Sequence, residues 1–348
     1  MRSDESSSTG GGRWCSRKRV RRLGWLRWSP WLRWGQDAKG RSSWTRGRVL
    51  ASLAVLTAAL LTFHGAVPNT PGNLGSLLEA FLPWLGLTVP VLLLLALLRR
   101  SATALVALLL PVTVWTYLFG GLLFPRAGEE GDITAIQHNV SDENPDPAGT
   151  AKALMEAGPE LIALEELTPS ALPLYERTLA PAYPHHAVEG TVGLWSKYPL
   201  TDVRLLDIRP KGIGEGWDRG LRAAARTPWG EIAVYVAHLP SVRIGPTGFA
   251  SDNRDESAGL LGKALAAETT DEVILMGDFN GTLDDRGLDP VTSRTKSSEG
   301  RFAFSWPEGF PVSRIDHVLA RTATVTDVRT LPATGSDHLP VIAGIRLA

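Results

Sequence analysis

Hydrophobic and polar positions divide this chain into two unlike parts. From Val49 to Leu98 no Lys or Arg interrupts the sequence. Two apolar runs fit there, Val49–Val67 and Leu77–Leu98, the second with a lone Glu79 near its start. A third run covers Ala102–Phe124. Each matches the roughly 20 residues a helix needs to cross a bilayer core, so three transmembrane helices are expected. The turn-rich stretch Pro68-Asn69-Thr70-Pro71-Gly72-Asn73 separates the first two, and Arg99-Arg100-Ser101 separates the second and third. Pro90 and Pro111 fall inside spans, where membrane helices tolerate them. Three such runs are rare as buried helices of a soluble domain. The first starts too late and is too long for a cleaved signal peptide.

Beyond the third run the pattern shortens. Ile133–Val140, Leu161–Leu164, Val192–Trp195, Leu205–Ile208, Val273–Met276, Val318–Leu319 and Val341–Ile345 are brief apolar stretches expected as strands. Leu221–Thr227 and Glu231–Val236 flank Pro228-Trp229-Gly230, a hairpin signature. Pro147–Ala157 and Asp252–Glu268 read as helices. The sum is an α/β domain over 133–348 behind a linker at 125–132. Eight linker residues reach at most about 28 Å, which keeps the domain near the bilayer surface. Two glycine-containing loops interrupt it, Gly212–Gly220 and Gly281–Pro311. The second is long for a compact domain, which marks it as a candidate functional loop.

Charge orients the picture. The net charge of zero hides an asymmetry: residues 1–48 carry 13 Lys/Arg and 3 Asp/Glu, whereas 125–348 carry 21 and 32, a net of −11. By the positive-inside rule the tail and Arg99-Arg100 are cytoplasmic, and the loop at 68–76 and the large domain are extracellular. The tail holds six of the 12 tryptophans (Trp14, Trp25, Trp28, Trp31, Trp34, Trp44). That composition suits an anionic inner leaflet and equally a disordered basic tail. An acidic domain disfavours nucleic acid as partner, because nonspecific binding needs several Lys/Arg–phosphate contacts. Cys15 is the only cysteine, so no intrachain disulfide is available and compartment is not indicated.

Candidate chemistry collects at strand ends, where α/β proteins place their sites. Asn139 follows the first strand, Glu165-Glu166 the second, and His238 the strand ending at Ala237. Asp278 and Asn280 close Val273–Met276, Asp316 and His317 precede Val318, and Asp337-His338 precede the last strand. Hard oxygen ligands such as Glu166, Asn139 and Asp337 suit Mg²⁺, or Mn²⁺, rather than Zn²⁺. No Cys or paired-His zinc signature is present. A carboxylate-bound Mg²⁺ with two histidines and an Asp/Asn pair is the equipment for phosphoester hydrolysis. Singly, these residues are ordinary: a lone His after a strand is most often structural, and an Asn or Glu there most often caps. The order of Gly277-Asp278-Phe279-Asn280, Ile315-Asp316-His317 and Ser336-Asp337-His338-Leu339-Pro340 carries the case.

That constellation resembles the endonuclease/exonuclease/phosphatase superfamily over about residues 131–348. Gln137-His138-Asn139-Val140 is similar to its first Asn motif, and Pro159-Glu160-Leu161-Ile162-Ala163-Leu164-Glu165-Glu166 to its metal-binding Glu motif. Ser196-Lys197-Tyr198-Pro199-Leu200 is similar to its Ser-Arg/Lys-Tyr-Pro turn, and His238-Leu239 to its His-Leu element. The family usually has Gln-Glu where this chain has Glu165-Glu166, which leaves Glu165 as a candidate second acid. The resemblance implies a DNase I-like two-sheet α/β sandwich behind the three transmembrane helices. It implies Glu166 as main Mg²⁺ ligand, helped by Asn139 and Asp337. His338 becomes the general base, oriented by Asp316. Asp278 and Asn280 bind phosphate and align the nucleophile, and His238 donates to a phosphate oxygen or assists the leaving group. Asp142, Glu143 and His317 remain bystanders.

Three spans before such a domain resemble the VanJ-like teicoplanin-resistance proteins. This implies hydrolysis of undecaprenyl pyrophosphate to the monophosphate at the outer membrane face, in cell-wall carrier-lipid recycling. The rivals are an extracellular-facing endonuclease, a phospholipase C- or sphingomyelinase-like phosphodiesterase, and a non-enzymatic membrane scaffold. Trp217 and Phe304-Ser305-Trp306-Pro307 are loop aromatics placed to dip toward lipid or simply to pack.

Overall fold

The computed structural model describes residues 44–123, 131–298 and 301–348. The basic tail up to residue 43 and the expected linker up to residue 130 lie outside the described residues. The apolar runs do form helices, but not three plain spans. Helix α1 (Arg48–Thr62) has only 15 residues. The second run is broken into α2 (Leu74–Ala80) and, after a 3-10 stretch at Leu82–Leu87, α3 (Thr88–Leu98). Leu74–Ala80 and Leu82–Leu98 meet at 69°. The bend falls at Phe81, just before Pro83, which has no N–H to continue a helical ladder. In the third run, α4 (Ala102–Ala107) and α5 (Leu109–Leu123) make one helix of 22 residues. It is the one helix among the described residues long and apolar enough to cross a membrane; the bent pair passes only when counted together.

Glu79 explains why α2 turns aside. Its carboxylate is buried and takes Arg286 in two hydrogen bonds of 2.7 and 2.8 Å, with His64 Nδ1 at 3.1 Å. Arg286 also donates to the carbonyls of His64 and Val67. Asn73 donates to the Phe249 carbonyl at 3.0 Å, and Trp84 Nε1 to the Val312 carbonyl at 2.8 Å. The 64–84 segment is thus fastened to the C-terminal domain. At the other ends of the helices, Ser101 hydrogen-bonds the Arg46 carbonyl.

The C-terminal domain has strands β1 (Ile133–Asn139), β2 (Leu161–Glu165), β3 (His185–Glu189), β4 (Val192–Ser196), β5 (Leu200–Leu205), β6 (Gly220–Thr227) and β7 (Gly230–Ala237). There follow β8 (Ile244–Gly245), β9 (Gly248–Phe249), β10 (Val273–Asp278), β11 (Asp316–Arg321), β12 (Thr324–Thr330) and β13 (Val341–Arg346). They build a six-stranded sheet in the order β12-β13-β1-β2-β4-β3, a five-stranded sheet in the order β11-β10-β7-β6-β5, and a β8-β9 ribbon. The inner faces interlock: Ile133, Ala135, Leu161 and Ala163 of one sheet pack with Val234, Val236, Ile274 and Met276 of the other. The alternate residues face outward onto helices, as the two-residue period of a strand requires. Ile136, Ile162 and Leu164 meet α6 (Pro147–Glu156) and α7 (Leu172–Leu179), and Tyr235 and Leu275 meet α8 (Asp252–Ala267). This is the expected two-sheet α/β sandwich, and the Pro228-Trp229 hairpin joins β6 to β7. Leu205–Ile208 is not a strand as expected. β5 lies earlier, and Ile208 drops into the core under α8. β3, β12 and α7 are additions to the expected elements.

Candidate active site

The topology delivers the polar residues to one edge. β1 runs parallel to β2, and β7 parallel to β10, so each parallel pair ends on the same side. β11 and β13 run antiparallel to β10 and β1 and begin there. Asp278 is therefore paired with Asp316, and Asn139 with Glu165. Gly277 permits this closeness. Its φ is +154°, and a Cβ would stand 1.9 Å from the Ala237 carbonyl oxygen. The next turn is held by Asn280, whose φ is +48°. Its N–H donates to Asp278 Oδ1 at 2.8 Å and its side-chain amide to the Leu239 carbonyl at 2.9 Å.

Asp278 Oδ2 lies at the centre of the site. It accepts from Asn139 Nδ2 at 3.1 Å, with His238 Nε2 at 3.7 Å and His338 Nε2 at 3.9 Å. His338 Nδ1 and Asp316 Oδ2 are 2.8 Å apart. Glu166, itself at φ +60°, brings Oε1 to 3.8 Å from His238 Nε2. Ser336 ties the last motif to the first, donating to the Asn139 carbonyl at 2.7 Å. The result is a cleft of about 430 Å³. Asn139, Glu166, Asp278, Asn280, Asp337 and His338 line it, while His238 and Asp316 are buried behind. Ala80 and Phe81, at the break between α2 and the following 3-10 stretch, line the same cleft.

A family model described as the Endonuclease/Exonuclease/phosphatase family matches residues 135–338. The chain belongs to the endonuclease/exonuclease/phosphatase family. It is accordingly a metal-dependent hydrolase of phosphoric esters or anhydrides. Among solved structures, D. rerio TDP2 complexed with a single-strand DNA product aligns at TM-score 0.51 and 15% identity, covering 62% of this chain and 98% of that one. The endonuclease/exonuclease/phosphatase from Beutenbergia cavernae aligns at 0.50 and 17%, covering 63% and 72%. The one from Bacteroides vulgatus aligns at 0.50 and 14%, covering 62% and 99%. At these identities the likeness concerns the fold. A search of curated proteins finds no match.

In this family member the buried charges are strongly perturbed. Burial alone would lower the pKa of His338. The Asp316 and Asp278 carboxylates and the Asp316 hydrogen bond outweigh it and push it up to about 10. Burial would raise Asp316, but the His338 charge and its hydrogen bond hold it below the ordinary carboxylate value. Asp278 is pushed up to about 7, chiefly by burial, with the Asp316 charge adding to it and His338 opposing. His238 moves the other way: burial and then the Arg219 guanidinium hold it well below the usual imidazole value. Two histidines a few ångströms from one carboxylate are thus pushed in opposite directions.

All eight residues expected at the site converge on it. Asp337 sits on the exposed rim. Glu165 is fully buried and faces away from the cleft, accepting from Gln137 Nε2 at 2.7 Å. Burial, then Asp316 and Asp278, raise its pKa well above the ordinary carboxylate range. Asp142 and Glu143 are exposed. His317 is buried away from the cleft, with Nε2 at 2.8 Å from the Gly281 carbonyl. Among the described residues, Asp278, Asp316 and His338 bring one potential ligand atom each within 4.8 Å of one another. The facing atoms of His338 and Asp316 already hold each other, Asn139 Oδ1 accepts from the Ser141 N–H at 3.0 Å, and Glu166 lines the cleft with Oε2 accepting from the Asp142 N–H at 3.3 Å.

Two residues were given no role from the sequence. Arg219 lies beside His238, with Nη1 at 3.2 Å from Nδ1 and 3.3 Å from Nε2, and its guanidinium also rests on Trp217. Gln137 bridges Glu165 and Asp316, donating to Asp316 Oδ1 at 3.0 Å. Each precedes or occupies a strand that pairs with a motif-bearing strand, but that pairing is not written in local sequence.

Proposed function

We propose that this protein is anchored in a membrane by its N-terminal helices and hydrolyses a lipid pyrophosphate at the outer face. The favoured substrate is undecaprenyl pyrophosphate, converted to the monophosphate in cell-wall carrier-lipid recycling, with glycopeptide (teicoplanin) resistance as its consequence. One observation carries this reading: the wall of the catalytic cleft includes Ala80 and Phe81 of the apolar N-terminal segment. Positive charge supports the orientation. Arg46, Arg48, Arg99 and Arg100 sit at the helix ends away from the sandwich, as for a cytoplasmic face.

The cation-binding role goes to Glu166 and Asn139, with Asp337 at the rim. The Glu166 and Asp337 carboxylates lining the cleft beside the buried Asp278 and the Asn139 amide are hard oxygen donors of the kind that fits Mg²⁺ or Mn²⁺. A cation held by these residues would supply positive charge to neutralise phosphate oxygens and to offset the carboxylate field around His338. His338 Nε2 takes the proton of the attacking water while Asp316 fixes its Nδ1–H. The water oxygen bonds to the terminal phosphorus, the bridging P–O bond breaks, and inorganic phosphate leaves. Asp278 and Asn280 align the phosphate and the water. His238, kept neutral beside Arg219, donates to a phosphate oxygen or to the leaving monophosphate.

The test is purified full-length protein in detergent with Mg²⁺, offered undecaprenyl pyrophosphate, a phosphodiester lipid such as sphingomyelin, or plasmid DNA. Phosphate release from the pyrophosphate without DNA nicking is expected. DNA nicking or sphingomyelin cleavage alone would replace the reading with a nuclease or a phospholipase C-like enzyme, and inertness toward all three would favour a scaffold.

A further inference from the structure

A second cleft, of about 410 Å³, lies where the helices meet the sandwich. Trp84 and Val89 wall it on one side, Val112 and Trp115 of α5 on another, and Phe302 and Phe304 close it from the sandwich. Both indoles turn their polar atoms away from it. Trp84 Nε1 donates to the Val312 carbonyl at 2.8 Å, and Trp115 Nε1 to the Pro83 carbonyl at 2.7 Å. Trp84 stacks on Phe304 with ring centroids 5.6 Å apart, and Phe304 lies 5.1 Å from Phe302. What remains facing the space is almost entirely ring face and aliphatic carbon, with Thr116 the one hydroxyl-bearing residue in the lining. A polar ligand would lose its hydration there with nothing in exchange.

This cleft is the neighbour of the catalytic one, and the same two segments divide them. Phe81 lines the catalytic cleft and Trp84 the apolar one. On the other side, Trp306 lines the catalytic cleft and Phe304 the apolar one. Only residues 82–83 and Ser305 intervene along the chain. An elongated molecule with phosphates at one end and hydrocarbon at the other matches the polar lining of one cleft and the apolar lining of the other.

We infer that the apolar cleft is the subsite for the hydrocarbon chain next to the substrate's phosphates, so that the enzyme selects for a lipid chain as well as for a phosphoanhydride. This rests on the lipid-pyrophosphate reading and goes further, because it assigns selectivity to Trp84, Val89, Val112, Trp115, Phe302 and Phe304. The predominantly apolar lining and the position beside the catalytic cleft name the occupant as hydrocarbon. The broken second helix acquires a purpose: the turn at Phe81 puts residues on both sides of one partition.

Full-length protein in detergent micelles with Mg²⁺ tests this with a long-chain polyprenyl pyrophosphate and geranyl pyrophosphate. Val89→Trp and Val112→Trp fill the cleft. Each should lower the long-chain to short-chain ratio of kcat/KM by about tenfold or more, since losing contact with as few as two methylenes is worth that much. Val106→Trp, on the exposed face of α4, should keep the wild-type ratio. An unchanged ratio in both filling variants, or equal loss on both substrates, overturns the inference and leaves the lipid reading standing. Wild-type protein that releases phosphate from neither substrate sinks the lipid reading itself. Independently of any variant, a long-chain lipid phosphate carrying a diazirine near its head should label peptides containing Trp84 or Phe304. Labelling confined to other helix faces overturns the inference.

Discussion

In the sandwich, the large apolar side chains disappear into three cores and the charges gather along one edge of the sheets. In residues 44–123 the arrangement is reversed. Among the described residues, 22 of the 28 exposed large hydrophobic residues lie in this segment, including Leu94 at 58%, Leu98 at 71% and Tyr117 at 87% exposure. Its one acid, Glu79, is buried and spent on Arg286 of the sandwich. Soluble surfaces rarely carry contiguous apolar patches of this kind. The difference supports the proposed membrane anchor for the first region, and the catalytic cleft is lined by residues of both.

The sharpest way to break this comparison is to disable the polar edge while leaving the apolar region alone. His338→Ala should lower turnover by about 10²- to 10⁴-fold, the usual worth of a general base, with the thermal midpoint still measurable. Glu166→Ala should likewise remove most activity, and titration calorimetry should show its Mg²⁺ affinity lost as well. Near-normal turnover in either variant contradicts the assignment of roles.

Next comes the seam. Glu79→Ala leaves the Arg286 guanidinium without its carboxylate, a loss of about 3 kcal/mol by analogy with broken buried pairs. A lower thermal midpoint and faster proteolysis around residues 64–80 are expected. No change would mean that the two regions are independent. An exposed apolar residue from each region then compares the solvents directly. Leu94→Arg should cost about 3 kcal/mol of insertion if its surroundings are lipid and reduce the membrane-bound fraction on cell fractionation. Trp229→Arg, at 51% exposure on the sandwich hairpin, should stay within about 0.5 kcal/mol on thermal unfolding. Equal indifference at both sites would refute the lipid assignment.

The smallest effect is on pH. The pKa of His338 rises from 6.5 to about 10 on folding, so its stabilisation is complete below pH 6.5 and is lost as pH climbs through 10. Asp278, raised from 3.8 to about 7, acts in the same direction at lower pH. Asp316 is depressed and loses its contribution only in acid. The metal-free protein should therefore show a falling unfolding midpoint between pH 7 and 10, and Mg²⁺ should flatten that slope. A flat or rising midpoint without metal contradicts the buried His338–Asp316–Asp278 arrangement.

Much of the sandwich was legible because its strands are short, apolar and followed at once by a polar residue. Gly277-Asp278-Phe279-Asn280 is the clearest instance, since the glycine is demanded by the Ala237 carbonyl 1.9 Å from any Cβ. β12 was not legible. Its Thr324–Thr330 alternation is disturbed by a register shift between Val325 and Asp327, and a strict two-residue period misses it. Arg219 and Gln137 stayed hidden because their importance comes from partners 19 and 179 residues away. The helical segment misled in another way. Hydropathy counts apolar residues but not helix direction, so Leu77–Leu98 looked like one span although Glu79 turns aside and Pro83 follows the bend. The bend that places Phe81 in the catalytic cleft is not visible in hydropathy.

The central claim is that the active site takes its substrate from the plane of the membrane. Surface-dilution kinetics test it directly: undecaprenyl pyrophosphate is held at fixed bulk concentration while its mole fraction in mixed micelles is lowered with inert detergent. The rate should fall with mole fraction, as for an enzyme that draws substrate laterally. A rate that follows bulk concentration alone would contradict the account.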